Sequence, residues 1–523
     1  MKTFCRIMSA LLVSLMLLAA LAACNTQPTK PQGNGGDTSE LPSDHPEINE
    51  RFDGTTVNFY VTAEGLNSRS IDLGDEDDPS YEVNAQVKKR NEQVKQELGV
   101  DIVLLKVGGM QSAYEELSPI LSGDMYVYDV IGCYQYFDLG LALGDSVGCF
   151  YNLLNMPEGV TNYLDLDAPY WSRTLLDTLA YKGVAFYVTG DLSQAYTGTM
   201  FVSYVNSVMW AKFADKIAAL EQSGGYSDVY DIVNNGYWTL DLWIELAKMC
   251  YQDDGDEEMD YEDQCGFMTY DQQLNNIMVD MLVAGSNVRY GGLDSNGTPT
   301  IEIYSKRNNE FYNKLYTLLC ESKTVTIPWI GGADGEEGTY IMDIFAGGKV
   351  LLNVNTLAQA EEYLADMKDD FYVMPLPMLS RDQFNANSAS KGYTTQLGDS
   401  VSQYAICTSI GDDKVPAVTA TLELMAYYSM KWVTPSYYET ALKERYTRDP
   451  KNAEMIDMIK AGIYTDFAFI WSSELGNITW NLRSQYHEGT KVDNNLRSWD
   501  RNATGLLTTK LLPRIEEAFY VEK

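Results

Sequence analysis

An α/β fold, with parallel strands covered by helices, is the fold class that the sequence predicts. Thr56 to Val61, Val100 to Leu105 and Val127 to Ile131 are short segments rich in β-branched and aromatic residues, which is typical of strands. Helical periodicity separates them, with a second amphipathic segment near Ser112 to Leu121. The apolar positions of the first helix are Val83, Val87, Val94 and Leu98. Alternating strands and helices favour a parallel sheet.

Two further helices are predicted from their first residues. Thr239 stands where an N-cap residue is preferred, and the residues after it repeat at helical spacing. Pro416 stands where the first residue of a helix tolerates proline, before another apolar face. Trp238 and Trp243 belong to the first of these segments, so we expect both to pack in the core.

The charge composition excludes several classes of protein. The chain has 523 residues, with 38 Lys and Arg against 74 Asp and Glu, so the net charge is 38 − 74 = −36. A protein this acidic lacks the basic surface that nucleic acid or anionic lipid requires. His45 and His487 are the only histidines, which excludes a zinc site with several histidine ligands.

The first residues resemble a bacterial lipoprotein leader. Lys2 and Arg6 precede an apolar run that ends in Leu21-Ala22-Ala23-Cys24, which is similar to a lipobox. We therefore expect a signal peptide over 1–23, and a lipidated Cys24 that begins a flexible Pro- and Gly-rich tether over 24–50. The alternative is an ordinary signal peptide with a chance cysteine.

Two features leave an alternative open. Cys250 and Cys265 flank an acidic loop and would be the first pair to test for a disulfide, although dispersed cysteines are equally often buried thiols. The loop, residues 253–263, has eight carboxylates in eleven positions. Its best match to a calcium loop places Met259 where glycine is required, so a solvated acidic loop is favoured over a calcium site.

Two short motifs suggest catalysis, but their surroundings do not support it. Gly144 to Gly148 fits the nucleophile pattern G-x-S-x-G around Ser146, yet no long buried strand leads into it. Ser388 to Lys391 fits S-x-x-K but lies in a polar stretch without the partner motifs of that enzyme class. We predict no catalytic residue, no metal site and no cofactor.

The order of several segments resembles the extracellular solute-binding proteins of bacterial ABC importers. More specifically, it is similar to the family 1, sugar-binding-like lipoproteins of Gram-positive bacteria. The segments that carry the resemblance are Val83-Asn84 to Leu98-Gly99-Val100, Tyr128-Asp129-Val130-Ile131, Asp165 to Trp171, Val188-Thr189-Gly190-Asp191, Tyr237-Trp238-Thr239-Leu240-Asp241, Phe345 to Leu352, Phe371 to Pro377, Pro435 to Glu439 and Arg448-Asp449.

The resemblance implies a two-lobed periplasmic-binding-protein-like (type II) fold with discontinuous lobes and a hinge. Lobe 1 would comprise 51–190 plus 393–440, and lobe 2 would comprise 196–378 plus 441–523. The implied protein is a monomer without enzymatic activity, held by its lipid on the extracellular face of the cell membrane. It would capture a carbohydrate or oligosaccharide between the lobes and deliver it to the transmembrane subunits of an ABC permease.

Candidate ligand-binding residues follow from the position of strand ends, because ligands of open α/β sheets lie beyond the carboxyl ends of the strands. Aromatic faces suit the apolar face of a sugar ring, and amides and carboxylates suit its hydroxyls. The candidates are Tyr134, Gln135, Tyr136, Asp191, Gln194, Gln273, Asn275, Asn353, Asn355 and Trp471. With 37 Tyr and 9 Trp in the chain, the alternative for each aromatic candidate is ordinary core packing.

Two other functions remain open from the sequence. A cell-surface glycoside hydrolase needs a pair of carboxylates across a cleft, and the many Asp and Glu residues allow that pair. A ligand-binding module that feeds a sensor would share the fold and the ligand but not the permease.

Overall fold

The computed structural model describes residues 44–62, 82–108, 113–122, 125–134, 148–270, 278–327, 341–364, 366–398, 401–437, 451–492 and 495–519. The boundary between two units of the chain falls after His45. The sheets and helices below belong to the second unit.

The first sheet has four strands in the order β11-β3-β1-β2. β1 is parallel to β2 and β3, whereas β11 pairs with β3 in the antiparallel direction. Its strands are β1 (Thr56–Thr62), β2 (Asp101–Gly108), β3 (Val130–Tyr134) and β11 (Ser402–Ile406). The predicted parallel strand, helix, strand pattern is therefore confirmed, although β3 begins three residues later than the sequence suggests.

The second sheet has five strands in the order β10-β4-β9-β5-β8. Its strands are β4 (Phe201–Asn206), β5 (Cys265–Tyr270), β8 (Val325–Ile327), β9 (Val350–Thr356) and β10 (Phe371–Met374). A separate hairpin consists of β6 (Gly291–Leu293) and β7 (Pro299–Ile301). The chain thus leaves the first sheet after β3, builds the second sheet, and returns to the first for β11. The residue boundaries of the two predicted lobes stay a prediction.

Helices surround both sheets, and they agree with the sequence patterns where those are strong. The described helices are α1 (Glu82–Leu98), α2 (Ala113–Ser122), α3 (Arg173–Leu179), α4 (Gln194–Gly198), α5 (Ser207–Ala218), α6 (Val229–Asn234), α7 (Leu240–Cys250), α8 (Met278–Gly285), α9 (Lys306–Tyr316), α10 (Ile341–Ala346), α11 (Gln359–Tyr363), α12 (Val415–Tyr428), α13 (Thr434–Ser436), α14 (Lys451–Lys460), α15 (Phe467–Ile470), α16 (Ile478–His487), α17 (Leu496–Leu506) and α18 (Leu512–Phe519). None of the helices in these ranges has the length and apolar character needed to cross a membrane.

The cap and core predictions for α7 are confirmed. The Thr239 hydroxyl accepts a hydrogen bond from the Leu242 amide at 3.4 Å, which satisfies one amide of the first helical turn. Trp238 and Trp243 are fully buried, with ring centroids 5.6 Å apart. Trp243 also packs on Phe267 of β5, so α7 is fixed on the second sheet by its aromatic residues.

Cys250 and Cys265 are not joined by a disulfide, which answers the question that the sequence left open. Cys250 and Cys265 are both buried, and burial raises the pKa of the Cys250 thiol to about 12. The pair therefore behaves as small apolar core residues at neutral pH.

The turn between α1 and β2 gives a test of the fold. Gly99 has a φ of +74°, and a Cβ there would lie 2.1 Å from Asp53 Oδ1 and 2.9 Å from Asp53 Cα. Gly99→Ala combines left-handed strain with this clash, so we expect it to lower the free energy of unfolding by about 2–3 kcal/mol. Urea unfolding measures the loss.

Gly54 is the matched control for this substitution. It also has a positive φ, +82°, but an added Cβ meets nothing within 4 Å. Gly54→Ala should cost only about 1 kcal/mol. Equal losses for the two variants would contradict the close approach of Asp53.

Candidate functional site

Three chain segments connect the two sheets, and together they form what we call the crossover site. They are 189–200, 395–402 and 434–437, of which 399 and 400 lie outside the described residues. Thr189 Oγ1 donates to the Ser402 carbonyl at 2.6 Å, and the Gly398 amide donates to the Thr199 carbonyl at 3.0 Å. The first two segments therefore run side by side from the edge of one sheet to the edge of the other.

Asp191, in the first segment, is bonded to the third segment and to α14. Its Oδ1 accepts hydrogen bonds from Thr434 Oγ1 at 2.9 Å and from Lys460 Nζ at 3.2 Å. Its own amide donates to the Tyr170 carbonyl at 2.9 Å. Only 5% of Asp191 is exposed, so these charge-assisted bonds form away from water, where losing a partner is costly.

The residue before Asp191 must be glycine for this arrangement. Gly190 pairs with Trp171 in an antiparallel bridge, and a Cβ on Gly190 would lie 2.0 Å from the Tyr170 carbonyl oxygen. The backbone at 170–171 thus lies directly against the start of the first crossover segment.

Glu423 of α12 binds the residues around 170 and 171 through its carboxylate. Its carboxylate accepts a hydrogen bond from the Tyr170 hydroxyl, one from Trp171 Nε1 at 3.0 Å, and one from the Asp165 amide at 3.2 Å. Burial is the main cause that raises the pKa of Glu423 to about 7, against the three donors, which lower it. The charge of Asp165 adds to the increase.

Polar atoms without a partner among the described residues lie where β1 ends and β11 begins in the first sheet. Gln403 lies opposite Cys133, and the pairing of Val61 with Gly132 places Thr62 next to Cys133. Thr62 and Gln403 therefore lie in one row on one face. Both are fully buried, yet Thr62 Oγ1 and both polar side-chain atoms of Gln403 lack a hydrogen-bond partner among the described residues. Buried polar groups are normally satisfied, so we take this row as a candidate position for a ligand.

The second sheet has a similar atom on its central strand, β9. Asn353 of β9 donates through Nδ2 to the Met268 carbonyl at 3.2 Å, whereas its buried Oδ1 has no partner in the described part of the chain. The strand continues into the crossover site, because the Leu357 amide donates to the Met200 carbonyl at 2.9 Å. Buried Ser193 Oγ, in the first crossover segment, also lacks a described partner.

Four of the predicted ligand residues lie in the first crossover segment or on β9, the strand that leads toward it. Asp191 and half-buried Gln194 belong to the first crossover segment, and Asn353 and Asn355 belong to β9. Asn355 Oδ1 accepts a hydrogen bond from the Thr356 amide at 2.9 Å. Their predicted contacts with a ligand stay predictions.

The remaining candidates lie elsewhere or outside the described residues. Trp471 ends α15 in the apolar core, 6.3 Å from the Phe467 ring, with 4% of its surface exposed, so little of the ring is open to a ligand. Tyr134 is the last residue of β3, and nothing of its side chain is described. The candidates and motif residues outside the described ranges are Cys24, Gln135, Tyr136, Gln273, Asn275 and Ser146.

Sequence reasoning missed Gln403, Thr62 and Glu423. Gln403 is the largest polar residue of the strand Ser402–Ile406, and a polar residue in a buried strand is the signal that could have identified it. Thr62 is the polar end of a strand in the same way. Glu423 is a single carboxylate in the apolar helix α12, which is again a buried charge that needs partners.

Four of the eight carboxylates of the acidic loop accept hydrogen bonds from amides within the loop. Asp263 is buried and accepts hydrogen bonds from the Asp254 amide at 2.9 Å and from the Tyr251 hydroxyl at 2.9 Å. Two groups of three carboxylates lie close enough to hold an ion, but exposed acidic residues commonly cluster without one. The groups are Asp253, Asp254 and Asp256, and Asp256, Glu258 and Asp260.

The S-x-x-K motif does not form a catalytic pair. Ser388 Oγ donates to the Asn385 carbonyl at 3.1 Å, whereas Lys391 Nζ donates to Asn234 Oδ1 at 2.7 Å. The two side chains serve different local contacts, as expected for a chance match.

Solved structures share this architecture across nearly their whole length. The cyclic alpha-maltosyl-1,6-maltose binding protein from Arthrobacter globiformis matches with a TM-score of 0.55 at 12% identity, covering 87% of this chain and 99% of that chain. A family 1 extracellular solute-binding protein from Bifidobacterium longum subsp. infantis matches with a TM-score of 0.52 at 13% identity, covering 88% and 100%.

The chain has the fold of the extracellular solute-binding proteins. The two-lobed type II architecture predicted from the sequence is thereby confirmed at the level of the fold. A third structure with this fold, the extracellular solute-binding protein from Staphylococcus aureus in complex with maltose, has a TM-score of 0.51 at 13% identity and covers 88% of this chain and 99% of that chain. Neither a protein-family model nor a curated protein matches the sequence.

The buried carboxyl of Glu423 predicts how stability depends on pH. Its pKa rises from the ordinary 4.5 to about 7 on folding, so the folded state retains the proton longer than the unfolded state. The free energy of unfolding should therefore fall as pH rises between about 4.5 and 7, by about 3 kcal/mol from this group. Glu423→Gln, which stays neutral, should remove that fall in urea unfolding at a series of pH values.

Glu158→Gln is the control for this measurement, because Glu158 is exposed. Its stability curve should run parallel to that of the unmodified protein. A curve for Glu423→Gln that is also parallel would contradict the raised pKa.

Proposed function

We propose that this protein is a lipid-anchored solute-binding component of an ABC transporter, which captures a carbohydrate or oligosaccharide and delivers it to the permease. The observation that carries the proposal is the set of buried polar atoms without a partner among the described residues, on β1 and β11 of the first sheet, on β9 of the second and in the first crossover segment. Hydroxyls of a sugar both donate and accept, which matches an amide such as that of Gln403.

The fold supports the same function. Solute-binding proteins enclose their ligand by hinge closure, and segments that cross between two sheets, the first and third of them joined at Asp191, are suited to act as such a hinge. Two of the structures with this fold carry maltose-type ligands or names, which favours an oligosaccharide of glucose here. The proposal requires no covalent chemistry, since binding and release are sufficient.

Replacing Gln403 separates ligand binding from stability. Gln403→Leu removes two unpartnered buried polar atoms at nearly constant volume, so we expect the free energy of unfolding to rise by about 1 kcal/mol. The same change removes the bonds available to a sugar, so affinity should fall about tenfold or more. Calorimetric titration with maltose and maltotetraose measures affinity, and urea unfolding measures stability.

Ser286→Ala is the matched control. Ser286 Oγ is also fully buried without a described partner, but Ser286 directly follows α8 and belongs to no strand. Its removal should stabilise the protein and leave affinity unchanged. If Gln403→Leu also left affinity unchanged, its amide would have no role in the ligand site. Release of reducing ends from maltotetraose by the unmodified protein would instead support a glycoside hydrolase.

The proposed membrane anchor has its own test. A diacylglycerol on Cys24 buries two long chains at about 0.8 kcal/mol per CH₂, which suffices for stable attachment. Cys24→Ala should therefore abolish incorporation of labelled palmitate when the full chain is expressed in a Gram-positive host. Cys320→Ala, which removes an exposed thiol of the folded body, should leave the label in place. Equal labelling of both variants would contradict the anchor.

A further inference from the structure

A polar cavity, separate from the crossover site, lies beside the start of α7. Its volume is about 510 Å³, which is within the range of small-ligand sites. The side chains that matter for its chemistry are Glu221, Gln222, Tyr237, Asp241, Glu245 and Arg381. None of them belongs to the crossover site or to the candidate ligand residues.

The guanidinium of Arg381 lines this cavity. It stacks on the Tyr237 ring, with its Cζ 3.7 Å from the ring centroid. The ring in turn packs on Gly224, where an added Cβ would lie 2.3 Å from Tyr237 Cζ. The single acceptor for this guanidinium among the described residues is the Asn235 carbonyl, at 3.4 Å. Arg381 is exposed, and most of its five N–H donors are therefore available to a molecule in the cavity.

The cavity is also lined by hydrogen-bond acceptors, namely three carboxylates and one amide. Asp241 is neutralised by Lys314 at 2.9 Å, and Glu245 by Lys248 at 3.2 Å. The side chains of Glu221 and Gln222 have no hydrogen bond or ion pair with any described residue. The cavity thus offers a cationic donor, an unpaired carboxylate and a free amide, while buried Ile244 adds an apolar surface.

The balance of charge selects the class of ligand. The unpaired carboxylate of Glu221 disfavours an anion, and the guanidinium of Arg381 disfavours a simple cation. A neutral polyhydroxylated molecule satisfies both, because each hydroxyl accepts from a guanidinium N–H and donates to a carboxylate. We propose that this cavity is a second saccharide-binding site, separate from the site between the two sheets.

Counting bound sugar tests the proposal. Equilibrium dialysis of the mature chain with labelled maltose should give two equivalents at saturation. Arg381→Met keeps the apolar stem but removes the charged donors, so one class of site should weaken at least about tenfold. Glu221→Gln should weaken the same class, which protects the test against misfolding of the first variant.

Arg497→Met is the matched control, since Arg497 also lies over a tyrosine ring, that of Tyr304, at 4.8 Å. It should leave both classes of site unchanged. One equivalent in the unmodified protein that is unaffected by Arg381→Met but weakened by Gln403→Leu would overturn the second site and leave the proposed function standing. One equivalent lost with Arg381→Met and retained with Gln403→Leu would support the second site and count against the first. Absence of any maltose binding would contradict both.

Discussion

The carboxylate of Asp191 is the constraint on which the arrangement of the sheets depends. It receives the hydroxyl of Thr434 from the third connection between the sheets and the ammonium of Lys460 from α14. Its own backbone is fixed by Tyr170, which Glu423 holds from α12. A change in the relative position of the sheets would alter these bonds, which makes Asp191 a candidate hinge residue.

At two buried positions of the first sheet, the side chains that suit ligand binding lower the stability of the folded protein. Gln403 and Thr62 are buried with polar atoms that no described residue satisfies, and each such atom costs about 1–3 kcal/mol in the folded protein. A core designed for stability alone would place apolar side chains there. Retaining them is understandable when a ligand completes the hydrogen bonds, so that binding recovers the free energy that folding lost.

The sequence predicted the elements better than the site. The strands around Phe59 and Val103 and the cap at Thr239 follow from local chemistry, so periodicity and capping rules identified them. The partners of Asp191 and Glu423 lie more than 200 residues away along the chain, and no local pattern encodes such pairings. Trp471 shows the converse, because an aromatic residue that looked suited to a sugar lies in the core.

Small-angle X-ray scattering of the mature chain, with and without saturating maltotetraose, tests the central claim most directly. If sugar binds between the two sheets and the crossover site acts as the hinge, the radius of gyration should decrease on binding, and Gln403→Leu should show no decrease at the same sugar concentration. Saturable binding with an unchanged radius of gyration would contradict closure around the ligand.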